Sequence, residues 1–440
     1  MNLLAVDTSG PVAGVAVLKD GEVAYEGAAV NRLTHSVNLM PMIEEALGRA
    51  GLDVSEIGLY AAVTGPGSFT GVRIGVSAVK GMAHGAGKPC VGVDALEALG
   101  IPCFGPNRAA AAIEGSKVFA KDLMRRHGIP TAAYEVFTDL DAALRYVEDC
   151  PLPTVVKTDG LALGKGVLIC ESREEARRAV RSMLEERIFG DSGARVVIEE
   201  FLTGPEVSVL TFTDGETLVP MVSSMDHKRA LDGDEGLNTG GMGTIAPNPF
   251  YTPEAAERCM EEIFLPTIRA MRAEGRPFKG CLYFGLMLTA DGPKVIEYNC
   301  RFGDPETQVV LPLLRSSLLE IMLATAQGRL AETAVQFSQQ SACCVVLASR
   351  GYPQHYEKGF PISLPETGPG EHIYIAGAAV RDDGALVTSG GRVLGAVAVA
   401  DDLPAAVAAA YGLSHRIHFD NAYCRRDIGR RALAELGGNA

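Results

Sequence analysis

The sequence predicts an α/β protein of several domains, and three observations carry that expectation. Apolar, β-branched runs alternate with segments of helical periodicity along most of the chain. Near Ile101 the pattern changes, from a strand-rich opening to a regular succession of strands and helices. At 440 residues the chain also exceeds one ordinary core, because domains usually run to about 100–200 residues.

Taken in order, residues 3–29 read as the strands LLAVDTS, VAGVAVL and EVAYEGAAV, with Asp20-Gly21 as the tight turn of a hairpin. A helix follows from His35 to about Arg49, with Leu39, Met42, Ile43, Ala46 and Leu47 on one face and Gly51 at its end. The strand LYAAV (59–63) runs into GPGSFTG (65–71), which opens a second helix before a short strand near 90–93. Beyond Ile101 comes a Gly-Pro turn, then strands and helices alternating to about residue 325. A β-rich segment from about 341 to 400 closes with a helix near 402–415. The expected domains are 1–100, 101–328 and 329–435, and no internal repeat is visible.

Composition narrows the function classes. Hydrophobic residues make up 47% and charged residues 21%, an ordinary globular balance. No apolar run approaches the roughly 20 residues that span a bilayer. The start MNLLAVDTSG lacks the basic head and apolar core of a signal peptide, so a cytoplasmic protein with no membrane partner is expected. The 10 cysteines form no CxxC pair, and Cys343-Cys344 lies in the apolar run ACCVVLAS, which argues against zinc and disulfides. A net charge of -14 argues against direct nucleic-acid binding, which needs a basic surface.

The segment VVKTDGLALGKGVLIC (155–170) places a glycine-rich turn with Lys157, Gly164 and Lys165 between two apolar strands. Glycines let backbone N–H groups approach an anion and lysines add charge, so the turn suits phosphate, although a plain hairpin reads the same way. Downstream, VVIEEFLTGPEVS (196–208) carries Glu199, Glu200 and Glu206, and KVIEYNCRFGDPETQ (294–308) ends a strand with Glu297 and Asn299. Two apart on a strand, Glu297 and Asn299 share a face and suit oxygen ligation of a magnesium ion. A polar strand end is the alternative.

In this order the segments resemble the ATP-grasp ligases. The words EGSKVFAKDLM (114–124), DHKRALDGDEGLNTGGMG (226–243) and NCRFGDPETQ (299–308) resemble the phosphoribosylamine-glycine ligase family over roughly 101–433. The resemblance implies an ATP-grasp fold with a β-rich C-terminal domain. It implies activation of glycine by ATP to an acyl phosphate, followed by attack of the phosphoribosylamine nitrogen, with magnesium or manganese as the metal. Carried onto this sequence, Lys117, Lys157, Gly164 and Lys165 attend the phosphates, the backbone of Glu199 to Leu202 holds adenine, and Glu206 accepts the ribose hydroxyls. Glu297 and Asn299 hold the metal. Asp226, Lys228 and Arg301 act on the acceptor side, with His227 and Arg229 beside them. Open alternatives are a solvated helix lysine for Lys117, a plain loop residue for His227, and for Arg301 an ion pair with Asp304 or Glu306. The chain departs from the family at Thr158, Leu163, Leu237 and Cys300, none of which removes a charge.

That family opens with a Rossmann-like domain carrying GGREHA, and nothing like GGREHA occurs in these 440 residues. Residues 1–99 instead resemble the amino-terminal lobe of TsaB, the actin-like partner protein of threonylcarbamoyladenosine tRNA modification, through AVDTS (5–9), HSVNLMPMIEEAL (35–47) and GPGSFTGVRIGVSAVKGMA (65–83). That resemblance implies an actin-like half lobe and a protein partner bound through residues 1–99. The GPGSFTG glycines read equally well as a turn capping a helix. A half lobe also leaves one apolar sheet face uncovered. A gene fusion, or a join of two coding segments through LEALG and GIP, both account for the junction.

Overall fold

The structure, a computed structural model, describes all residues other than 10–11, 30–34, 66–68, 95–101, 161–165, 190–193 and 439–440. The chain divides into two units, Met1–Cys103 and Phe104–Ala440.

In the first unit, strands β1 (Asn2–Asp7), β2 (Ala13–Lys19), β3 (Glu22–Ala29), β4 (Ile57–Gly65) and β5 (Cys90–Asp94) form one sheet in the order β3-β2-β1-β4-β5. The expected hairpin is present: Lys19 pairs with Glu22 across Asp20 and Gly21, whose φ angles of 53° and 92° are the left-handed geometry a two-residue turn requires. Strand β1 then pairs in parallel with β4, and β4 with β5. Helices α1 (His35–Ala50) and α2 (Phe69–Ala86) make the crossovers. Alternation puts Leu4, Val6, Val15 and Val17 into a core with Leu39, Ile43, Leu47, Val79 and Ala83. The opposite face carries Leu3, Ala5, Ala16 and Leu18, all half-buried.

The second unit holds three principal sheets. Helix α3 (Lys117–His127) starts where the Ser116 hydroxyl accepts from Phe119 N at 3.1 Å and ends at Gly128, whose φ is 68°. Strands β6 (Tyr134–Phe137), β7 (Thr154–Thr158), β8 (Val167–Cys170) and β9 (Val196–Glu200) pair in the order β6-β9-β7-β8, covered by α4 (Leu140–Asp149) and α5 (Arg173–Leu184). Strands β10 (Glu206–Thr213), β11 (Leu218–Pro220), β16 (Gly280–Thr289) and β17 (Gly292–Asn299) form the second sheet, in the order β11-β10-β16-β17.

Between these last strands in sequence lie β12 (Met225–Asp226), the hairpin β13 (Arg229–Leu231) and β14 (Glu235–Asn238), and β15 (Gly243–Ala246). Strands β12 and β15 open the third sheet, which continues through β18 (Ser341–Ser349). The small pair β20 (Ala378–Val380) and β21 (Leu386–Thr388) stands apart, while β19 (Glu371–Ile375) and β22 (Arg392–Ala400) complete the order β12-β15-β18-β22-β19. The helix expected near 402–415 is α6 (Leu403–Ser414), and a further helix, which the patterning does not predict, spans Arg430–Gly438.

The second sheet is two-sided in a way that positions chemistry. Val207, Val209, Phe284, Leu286 and Val295 point into a core with Ile263, Phe264, Ile268 and Met271. The other face carries Glu206, Ser208, Tyr283, Glu297 and Asn299, because Gly285 pairs with both Ser208 and Glu297, and Tyr283 pairs with Asn299.

Candidate active site

One wall of the site is built from α3, β7 and β9. Lys117 occupies the first position of α3, and its ammonium donates to Gly160 O at 3.0 Å. Asp159, just past β7, accepts from Ser116 Oγ at 2.9 Å and Val118 N at 2.8 Å, so the start of the helix is tied to the strand that carries Lys157. Burial and the neighbouring Lys157 lower the Lys117 ammonium, against the pull of Glu297, Asp159 and Glu199. Lys157 Nζ lies 2.8 Å from Glu199 Oε1, and Lys121 Nζ lies 2.9 Å from Glu199 Oε2. Burial brings Lys121 down to about 8. Burial would raise the Glu199 carboxyl, but the two ammonium groups outweigh it and hold it below its ordinary range.

The other wall is the polar face of the second sheet. Lys228 pairs with Glu206 and lies 4.0 Å from Glu297. Burial opposes its charge, yet Glu206, Tyr283, Glu297 and Asp226 together hold the ammonium well above its ordinary value. Deeper in, Tyr283 OH lies 2.7 Å from Ser208 Oγ and donates to Glu306 Oε1 at 3.1 Å. Burial pushes up the Glu306 carboxyl, and burial together with the Glu306 charge pushes Asp226 well up, so these acids do not both ionise readily. Asp226 Oδ1 is buried and has no hydrogen-bond partner among the described residues. Gly241, at φ 109°, packs against it: a Cβ there would meet Asp226 Oδ1 at 2.6 Å and Pro305 Cδ at 2.4 Å, which accounts for glycine in TGGMG.

Two oxygen donors on one strand suit a divalent cation. Among the described residues no group of three or more His, Cys, Asp or Glu could enclose a metal. Glu297 and Asn299 put two oxygen donors on one strand face, a donor set that suits an ion taking its remaining ligands from phosphate and water, the usual habit of magnesium.

The sequence-derived residues fall as follows. Lys117, Lys157, Glu206, Asp226, Lys228, Glu297 and Asn299 line the two walls just described. Gly164 and Lys165 lie outside the described residues. The Glu199 backbone sits inside β9, its carbonyl accepting from Thr154 Oγ1 at 2.9 Å, while Leu202 lies past the strand end. Arg301 is exposed and donates to Phe302 O at 2.9 Å. Neither carboxylate weighed as its ion-pair partner takes it, since Asp304 bonds to Arg392 at 2.7 Å and Glu306 to Tyr283. His227 does not line the cleft. It is buried, with Nδ1 3.2 Å from Gly243 O and Nε2 accepting from Gly429 N at 3.2 Å, and burial and Arg425 lower it to about 4. Sequence reasoning missed Lys121, Ser208, Tyr283 and the buried role of Glu306. Lys121 was findable, because it stands four residues after Lys117 on one helix face.

Two sheets brought together across lysines, one of them ending in a Glu-x-Asn strand, have the arrangement of the ATP-grasp ligase class. Residues 115–307 match the family model described as phosphoribosylglycinamide synthetase, ATP-grasp (A) domain, and residues 342–431 match the model of its C domain. The chain belongs to the phosphoribosylamine-glycine ligase family. It is 50% identical over 344 residues to the phosphoribosylamine-glycine ligase of Allochromatium vinosum, covering 78% of this chain and 80% of that one. The corresponding protein of Vibrio vulnificus is 49% identical over 345 residues, with the same coverage. The crystal structure of phosphoribosylamine-glycine ligase from Thermotoga maritima superposes with a TM-score of 0.70 at 36% identity, covering 84% of this chain and 93% of that one. The biotin carboxylase domain of the Hydrogenobacter thermophilus 2-oxoglutarate carboxylase, solved with MgADP, shares the fold at a TM-score of 0.61 and 17% identity, covering 90% and 81%. Residues 29–115 match the model of tRNA N6-adenosine threonylcarbamoyltransferase, in keeping with an actin-like lobe in the first unit.

Proposed function

We propose that the chain is a cytoplasmic, ADP-forming ligase that joins glycine to phosphoribosylamine to give glycinamide ribonucleotide in purine synthesis. Its parts are a lobe over 1–100, an ATP-grasp core over 101–328 and a C-terminal domain over 329–435. One observation carries this reading: three ammonium groups gather at the end of β17. Lys228 Nζ is 4.0 Å from Glu297, Lys157 Nζ is 3.5 Å from Ile296 O, and Lys117 feels both Lys157 and Glu297. Ammonium groups that converge on one cleft, even with Glu199 and Glu206 as their resident partners, suit a polyphosphate.

In the first step a glycine carboxylate oxygen attacks the γ-phosphorus of ATP and ADP departs. In the second, the phosphoribosylamine nitrogen attacks the acyl carbon, phosphate leaves and the nitrogen loses a proton. Lys117 and Lys157 hold the phosphates, a role that the family resemblance extends to Gly164 and Lys165. The chain at Glu199 to Leu202 receives adenine and Glu206 the ribose. Magnesium, or manganese in its place, would be held by Glu297 and Asn299 and would draw charge from the phosphates. Lys228 and Asp226 face the acceptor side, and Arg301, which pairs directly with neither Asp304 nor Glu306, forks a carboxylate or phosphate.

The test supplies ATP, magnesium, glycine and freshly generated phosphoribosylamine, and follows both products. ADP and glycinamide ribonucleotide are expected in equal amounts. ADP without the amide would mean that the acceptor side is incomplete, and neither product would sink the reading. Glu297→Ala should lower magnesium-dependent turnover by about a hundredfold or more, the scale of losing one transition-state contact. Unchanged turnover would remove the metal assignment.

The family-model match over residues 29–115 favours a second role, in which residues 1–99 dock on a protein of the tRNA-modification system. A pull-down that recovers no such partner, under conditions that retain full-length TsaB, would remove it.

A further inference from the structure

Lys121 has no place in the mechanism above, yet it is among the most deeply buried charges of the molecule. The side chains of Lys121, Lys157 and Glu199 are 3%, 7% and 4% exposed. The two ammonium groups occupy different oxygens of the one carboxylate. Each lysine also reaches the strand that carries Glu297. Lys121 donates to Thr131 Oγ1 at 2.8 Å, which in turn donates to Val295 O at 2.7 Å, and Lys157 lies 3.5 Å from the next carbonyl, Ile296 O.

The charge balance gives this arrangement a function. Two ammonium groups against one carboxylate leave one positive charge in a place that water scarcely reaches. Without Lys121, Glu199 would belong wholly to Lys157 and would cancel the charge that phosphate needs. Other groups face Lys121: Glu200 acts at a distance, and the Tyr134 ring centroid lies 5.5 Å from Nζ. Neither takes the place of Glu199 as its paired carboxylate.

We propose that Lys121 is a positioning residue, the counter-charge that shares Glu199 with Lys157 and so leaves the cluster a net positive charge for the nucleotide phosphates. The inference rests on the ATP-binding reading. Its test is MgADP affinity by calorimetry, with the KM for ATP, in the full-length wild type, Lys121→Met, Lys121→Arg and the double variant Lys121→Met/Glu199→Gln. Lys121→Met should weaken both by about tenfold, the scale of one uncompensated charge at partly screened distance. Lys121→Arg keeps the charge and should stay within about threefold of wild type. The double variant removes a positive and a negative charge together, and should bind measurably tighter than the tenfold loss expected of Lys121→Met.

A purely packing role predicts instead that the double variant binds as weakly as Lys121→Met or worse, and that result overturns the proposal. So does a tenfold loss in folded Lys121→Arg. Should Lys121→Met fail to fold, the other two variants, which keep the wild-type charge balance, still decide. A wild type that does not bind MgADP removes the nucleotide reading and this inference with it, whereas binding with losses that add removes this inference alone.

Discussion

Protonating His227 has a cost that folding must bear, because the ring is buried and its two nitrogens are committed, one to Gly243 O and one to the Gly429 N–H. Its folded value of about 4 lies below the ordinary 6.5, so between those values the unfolded chain binds more protons. The stability this group contributes is complete above about pH 6.5 and is lost as pH falls through about 4. The full swing is on the order of 3 kcal/mol. Urea midpoints measured from pH 7 down to pH 4 should therefore fall more steeply for the wild type than for His227→Gln; equal slopes would refute the assignment. At this scale the sequence said little. It offered DHKR as a run of polar residues, and nothing in the run separates a buried neutral histidine from a ligand. Lys228 next to it is named through the family resemblance, and only the fold brings it to Glu206 and Glu297.

Among the elements, the β13–β14 hairpin is held from outside. Arg425, only 1% exposed, pairs with Asp427 at 2.8 Å and Asp234 at 2.9 Å and donates to Arg229 O at 3.1 Å. Tyr423 OH donates to Ala230 O at 3.0 Å, and Arg426 N to Asp232 at 2.7 Å. The segment YCRRD thus fixes a hairpin that stands beside Lys228. Arg425→Ala would leave Asp427 facing a buried gap, at a cost of about 3 kcal/mol by the scale of broken buried pairs. It should raise the KM for glycine or phosphoribosylamine more than that for ATP. Steady-state kinetics on the folded variant would check this, and a selective rise in the ATP constant would contradict it. Elements were the most legible level in the sequence. The Asp20-Gly21 hairpin, the helix Leu403–Ser414 and the two-residue spacing of Glu297 and Asn299 all follow from local periodicity. The hairpin's dependence on Arg425, about two hundred residues away, does not.

For the whole molecule, the two units own separate cores. Among the described residues, Leu4, Val6, Val15 and Val17 share a cluster with residues of the first unit, and Phe284, Val346 and Val397 lie in clusters of second-unit residues. Calorimetry should resolve two unfolding transitions, and saturating MgADP should raise only the one that belongs to the second unit, by mass action on the folded state. A single transition that moves as a whole would show that the units unfold together. The sequence by itself determined the two family resemblances, the order of the elements, and which residues share a strand face, because each depends on neighbours a few positions away. Only the tertiary structure decided that Glu199 lies between Lys121 and Lys157, that Asp304 belongs to Arg392 rather than Arg301, and that Asp226 and Glu306 are pushed upward in concert. Those outcomes depend on desolvation and on charges brought together from distant parts of the chain, and neither quantity exists until the sheets have closed on one another.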